Sequence, residues 1–269
     1  MQIKRQIRTL VAVLLSASLF IGNAQAMEKD DALAAMEKVY DATINSFYSI
    51  NGFYNFSANQ ADKEQQEKVE SSIGTVEDLM IDIAGLLGDT TLAAQVEGAR
   101  EAWLQYESSL KENIEVVEDT GYTDLRLVGD LATLNIALND SLSLLYDSIA
   151  SENGIGKDTH VWKLHKTGKT LALMMTKYSA RSTSTVSQVY AREDTDVTLD
   201  TLATDFNKSL DELIAVEASA DAAKLLDSAK TKWEFIEPSI INYNENRVNF
   251  IVNLYSRKII EDLQAAGMI

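Results

Sequence analysis

A single proline, Pro238, stands in a chain of 269 residues. Proline usage near 5% would place roughly 13 in a chain of this length. Turn-rich and all-β architectures draw heavily on proline, and helix interiors exclude it. The scarcity therefore predicts long helices.

Hydrophobic spacing agrees with that. From Glu28 onward, apolar residues recur at intervals of three and four, the helical period. Leu33, Met36, Tyr40, Ile44, Phe47, Ile50 and Tyr54 form the first stripe. Further helices are expected over about 60–87, 91–117, 123–151, 159–191, 195–216, 219–236 and 239–266. Gly85 and Gly88 read as a helix stop, and Gly121 as a break. Pro238 is expected near the start of the eighth helix, where its missing N–H costs nothing. Short links make neighbouring helices antiparallel. The fold class expected is all-α, with two tandem up-and-down four-helix bundles.

The module boundary falls in the stretch from Ser151 to Asp158, which carries Gly154 and Gly156 between two strongly periodic segments. This divides the chain into residues 1–26, 27–152 and 153–269. The last two look like diverged copies. The segment from Val76 to Met80 resembles that from Leu210 to Ile214, Trp103 aligns with Trp233, and the pair Asn135 and Asn139 with Asn249 and Asn253.

Residues 1–26 have the pattern of a secretory signal peptide. Lys4, Arg5 and Arg8 are followed by a mostly apolar stretch over 9–22 and by Ala24 and Ala26 at the small positions of a cleavage site. The apolar stretch falls short of the ~20 residues that span a bilayer. An exported periplasmic protein without a transmembrane segment after cleavage is expected. Removing the leader takes three basic residues and no acidic ones, so the formal charge of −17 becomes −20. Nucleic acid is an unsuitable partner for such a chain, because that binding needs clustered Lys and Arg.

Cysteine is absent and histidine occurs twice. Disulfides, thiolate chemistry and Cys-rich zinc sites are thereby excluded. His160 and His165 lie five apart and do not share a helix face well, and no Glu-x-x-His motif is present. Haem held by His165 and a methionine such as Met175, as in a four-helix cytochrome, is a third reading. Gly168, Lys169 and Thr170 end like a phosphate-binding loop, but Lys163 stands where its first glycine belongs. No catalytic constellation is legible, and no metal or cofactor is expected.

Three groups of residues are candidates for a site. Asn242, Asn246, Asn249 and Asn253 lie on one helical face, and Asn135 and Asn139 repeat the last pair. Inward asparagines either fix helix register or line a polar ligand pocket. The fifth helix turns hydroxyl-rich, with Ser179, Ser182 and Thr185 beside Tyr178 and Arg181. Facing the asparagines, these groups would make a pocket in which Arg181 pairs with a carboxylate. The first helix carries more aromatics than its stripe needs, and Tyr48, Phe53 and Phe56 are candidates for a partner surface.

The layout resembles the PilJ-type periplasmic N-terminal domain of type IV pilus methyl-accepting chemotaxis transducers. That family opens a module with Gly-Arg-Gln-Arg-Met-Leu-Ser-Gln-Arg-Met, and the nearest counterpart here runs from Thr167 to Lys177. Gly168, Lys169, Leu171 and Met175 are compatible, while the later arginines and the glutamines are missing. The resemblance implies a ligand sensor linked to chemosensory or pilus function, and nitrate recognition does not carry over. Two functions are therefore expected in turn: a periplasmic protein that binds a small polar ligand, or an envelope protein that docks a partner such as a membrane-bound sensor through its helix faces.

Overall fold

A computed structural model describes residues 27–59, 61–183, 197–243 and 248–269. The expected leader lies outside the described residues, as do Thr185 and Asn246 and the side chain of Ser182. Helix makes up 86% of the described residues, with no strand among them, so the class is all-α. The helices are α1 (Lys29–Ala58), α2 (Lys63–Leu87), α3 (Ala93–Thr120), α4 (Leu125–Glu152), α5 (His160–Thr183), α6 (Leu199–Val216), α7 (Ala220–Ile241) and α8 (Asn249–Gly267).

Their ends follow local chemistry. Asp62, Asp124, Thr198 and Ser219 each accept a backbone N–H of the helix they precede, satisfying donors the first turn leaves unpaired. Gly121, at φ 74°, ends α3 in the left-handed conformation that glycine adopts without strain.

Each set of four helices closes on itself. α1 packs on α2, α2 on α3, α3 on α4 and α4 on α1; α5 to α8 repeat the cycle. Val76, Trp103, Tyr106 and Leu138 are among the first core, and Phe206, Leu210, Trp233 and Ile259 among the second. The burial registers correspond. Val69, Ile73, Val76, Met80 and Ile83 of α2 recur 130 positions later as Leu199, Ala203, Phe206, Leu210 and Leu213. Val96, Ala99, Trp103, Tyr106 and Leu110 of α3 recur at the same offset as Leu226, Ala229, Trp233, Ile236 and Ile240. This corrects the alignment of Val76 with Leu210, which is one turn out. That shift would set Ile73, Met80 and Ile83 against Asn207, Ile214 and Glu217, none of them fully buried. A four-residue slip keeps nearly the same helix face, so residue similarity alone does not reject it.

The position expected for Pro238 is also corrected. It lies in the last turn of α7, where it removes one helical N–H. Ile236 and Ile240 continue the buried stripe of Ala229 and Trp233, and that packing carries the helix through the proline.

The bundles lie side by side, joined by α1 and α5. Glu37 bonds His165, and Asn51 bonds Ser179, 14 residues further along in both helices, so the two run parallel and in step. Tyr40, Ile44 and Phe47 of α1 are buried in the second core, and Ala180 of α5 in the first. α1 is thus covered on nearly every side. A Cβ on Gly52 would come within 2.8 Å of the Val69 side chain, and one on Gly168 within 2.0 Å of the Tyr40 hydroxyl. Both glycines permit the close approach of α1 to its neighbours.

Candidate ligand site at the junction of the bundles

The asparagines form two clusters around two serines. In the first bundle, Ser46 Oγ lies 3.0 Å from Asn139 Oδ1, Asn135 Nδ2 donates to the Ser46 carbonyl, and Asn139 Nδ2 donates to the Asn135 carbonyl at 2.8 Å. Ser49 and the Tyr106 hydroxyl pair beside them at 2.7 Å. Asn135 is wholly buried and Asn139 nearly so. These groups satisfy one another, as buried polar groups must. Their role is to hold α1 against α4.

The second cluster bridges the bundles. Ser179 of α5 donates to Asn249 Oδ1 at 2.8 Å and accepts from Asn51 Nδ2 at 2.8 Å and from Asn253 Nδ2 at 3.2 Å. Asn249 Nδ2 donates to Asn55 Oδ1 at 2.6 Å, and Asn55 Nδ2 returns to the Asn51 carbonyl. An amide ladder thus ties α1, α5 and α8 at one height.

A pocket of about 500 Å³ opens beside this ladder. Asn55, Asn249, Asn253, Gln65, Lys68 and Arg257 supply its polar lining, and Phe250 and Leu254 its apolar rim. Arg257 is the distinctive member. Its guanidinium lies 3.9 Å from the centre of the Tyr48 ring. Burial pulls its pKa below the usual arginine value, against the opposing effects of Tyr48 and Glu261, and the group remains a cation. No carboxylate of the described residues lies within ion-pair distance of it (the nearby Lys68 is held by Glu64 at 2.7 Å). A stacked, partly desolvated guanidinium beside amide groups suits a carboxylate, which it can grip with two parallel hydrogen bonds.

The structure brings some of the expected residues together and separates others. Asn249 and Asn253 line the pocket. Asn135 and Asn139 do not reach it, because they are closed within the first bundle. Tyr178 is buried, and its hydroxyl accepts the Val248 N–H at 3.1 Å, anchoring the start of α8. Arg181 lies 4.6 Å from the centre of the Tyr243 ring and does not line the pocket. Phe53 and Phe56 are corrections to the expected partner surface: both are fully buried in the first core, because α1 is enclosed by its neighbours. Tyr48 is the platform under Arg257. His165 also differs from a haem ligand. Its Nδ1 meets the Tyr146 hydroxyl at 2.8 Å, its Nε2 meets Glu37 at 2.9 Å, and its ring stacks on Tyr40, which leaves no ring nitrogen for iron.

Arg257, Asn51 and Asn55 escape the sequence reading. Arg257 lies four residues after Asn253 and so continues the same helical face, a signal that was present. Asn51 and Asn55 lie among the aromatics of α1, where nothing local marks them. No family model, no curated protein and no solved structure matches the chain.

Proposed function

We propose that this chain is an exported, periplasmic ligand-binding protein of the sensory type, whose junction pocket receives a small polar carboxylate at Arg257. The observation that carries the reading is the stacked guanidinium without a carboxylate partner among the described residues, set beside an amide ladder. A ligand there touches α1, α2 and α8 together, so it favours one packing of the bundles over another and shifts their equilibrium. The resemblance to pilus-linked chemosensory domains supports a role upstream of a membrane transducer. No helix among the described residues is long and apolar enough to cross a membrane.

The test is a thermal-shift and calorimetry panel of amino acids, dicarboxylates, other organic acids and nitrate on residues 27–269. A ligand at about 100 times its Kd stabilises the fold by about 2.7 kcal/mol. Arg257→Gln is expected to weaken the active carboxylate about tenfold or more, a loss of at least ~1.4 kcal/mol. A panel without any shift, or an Arg257→Gln variant with unchanged affinity, overturns the proposal. Export is tested separately, by whether the mature protein begins at Met27.

A second reading, docking of a partner such as a membrane-bound sensor, is favoured by Phe235 and Phe250, which are 59% and 72% exposed on α7 and α8. Pull-down with and without Phe235→Ser and Phe250→Ser distinguishes it.

A further inference from the structure

A second cleft, of about 330 Å³, lies between α1, α4 and α5, away from the amide ladder. Tyr40, Tyr146, Trp162 and Leu173 give it carbon walls, and Lys166 and Lys169 stand at it. Its volume is at the small end for ligand sites, and such sites combine apolar walls with a few placed polar groups.

Two ammonium groups stand at this cleft without a carboxylate partner among the described residues. The Lys166 ammonium lies 5.4 Å from the centre of the Trp162 ring and makes no ion pair with any described residue. The Lys169 ammonium is hydrogen-bonded to Ser143 Oγ, without a carboxylate of the described residues at ion-pair distance. Burial lowers the Lys169 pKa, against the pull of Asp140 and Asp147, and Asp147 is itself paired with Lys157 at 3.1 Å. In a chain of net charge −17, this cleft brings two ammonium groups together beside Asp147.

The chemistry of the walls narrows the ligand. Aromatic and aliphatic carbon favours a flat apolar body over a sugar or a free inorganic ion. Asp140 and Asp147 on α4 oppose a second negative charge. We propose that this cleft is a separate binding site for a small aromatic monocarboxylate, its carboxylate received by Lys166 and Lys169 and its ring seated among Tyr40, Tyr146, Trp162 and Leu173. The site is independent of the Arg257 pocket and stands or falls without it.

Benzoate is the probe, titrated by calorimetry into residues 27–269. Saturable binding is expected, together with a change in tryptophan emission, since Trp103 and Trp233 are enclosed in the two cores and Trp162 alone lines the cleft. Acetate, which lacks the ring, and benzyl alcohol, which lacks the charge, are each expected to bind about tenfold more weakly or worse. Lys169→Met should lose about tenfold in affinity with its helical circular dichroism intact. Lys166→Met should lose several-fold. Arg257→Gln should leave benzoate binding unchanged. No saturation by about 10 mM benzoate, equal binding of benzyl alcohol, or full affinity in both Lys169→Met and Lys166→Met overturns the proposal.

Discussion

Asp41 shows how much of this molecule is decided around single side chains. It lies one turn after Glu37 on α1, and Gln264 Nε2 donates to its Oδ1 at 2.7 Å. Burial, and then the Glu37 charge, push its carboxyl from the ordinary 3.8 up to about 6, although Gln264, His165 and Lys38 oppose them. A carboxyl whose pKa is higher in the folded state binds its proton more readily there than in the unfolded chain. Its contribution is therefore most favourable below about pH 4 and is lost as pH rises through about 6. Asp41→Asn is expected to be close to neutral near pH 4 and stabilising near pH 7, read from urea unfolding of both proteins across that range. A pH-independent difference would contradict it. Residues of this kind were hard to read in advance. Asn249 and Asn253 were legible because their spacing repeats along one helix face. Arg257 extends that face, but its importance rests on Tyr48, 209 positions away in the chain and in contact only after folding.

Elements were far more legible. Helical periodicity is a local property, so the stripes of α2, α3 and α6 stand in the sequence almost as they stand in the structure. The miss at α7 shows the limit. Proline is a helix-start signal only when nothing beyond it demands burial, and Ile240 does. The pairing of α1 with α5 is likewise a matter of packing, and it depends on Gly168. Gly168→Ala drives a methyl into the Tyr40 hydroxyl. Tyr40 is 3% exposed and stacked on His165 at 4.1 Å, so yielding disturbs that stacking. A loss of about 1–3 kcal/mol is expected, the usual cost of overpacking, seen as a lower urea midpoint. Adding Tyr40→Phe removes the nearest atom, and the double variant should lose less than the two single variants together. Additive losses would mean that the clash is relieved elsewhere.

At the scale of the whole molecule, the two bundles are coupled through a shared wall. Tyr40, Ile44 and Phe47 belong to the chain's first half and are buried by its second. Residues 27–152 alone would expose them, at about 1.5–3 kcal/mol for each large apolar side chain. That fragment is expected to associate, or to unfold without a sharp transition, in light scattering and thermal melts. A monomeric fragment with full cooperativity would show two independent domains. By itself, the sequence determined the all-α class and the stripes of most helices, because proline scarcity and periodicity act within a few residues of the chain. Tertiary structure alone decided the alignment of the halves, the burial of Phe53 and Phe56, and the two pockets, because each depends on which helix faces meet. α1 has apolar or hydroxyl groups around most of its circumference, and only packing against α2, α4 and α5 assigns each face a neighbour.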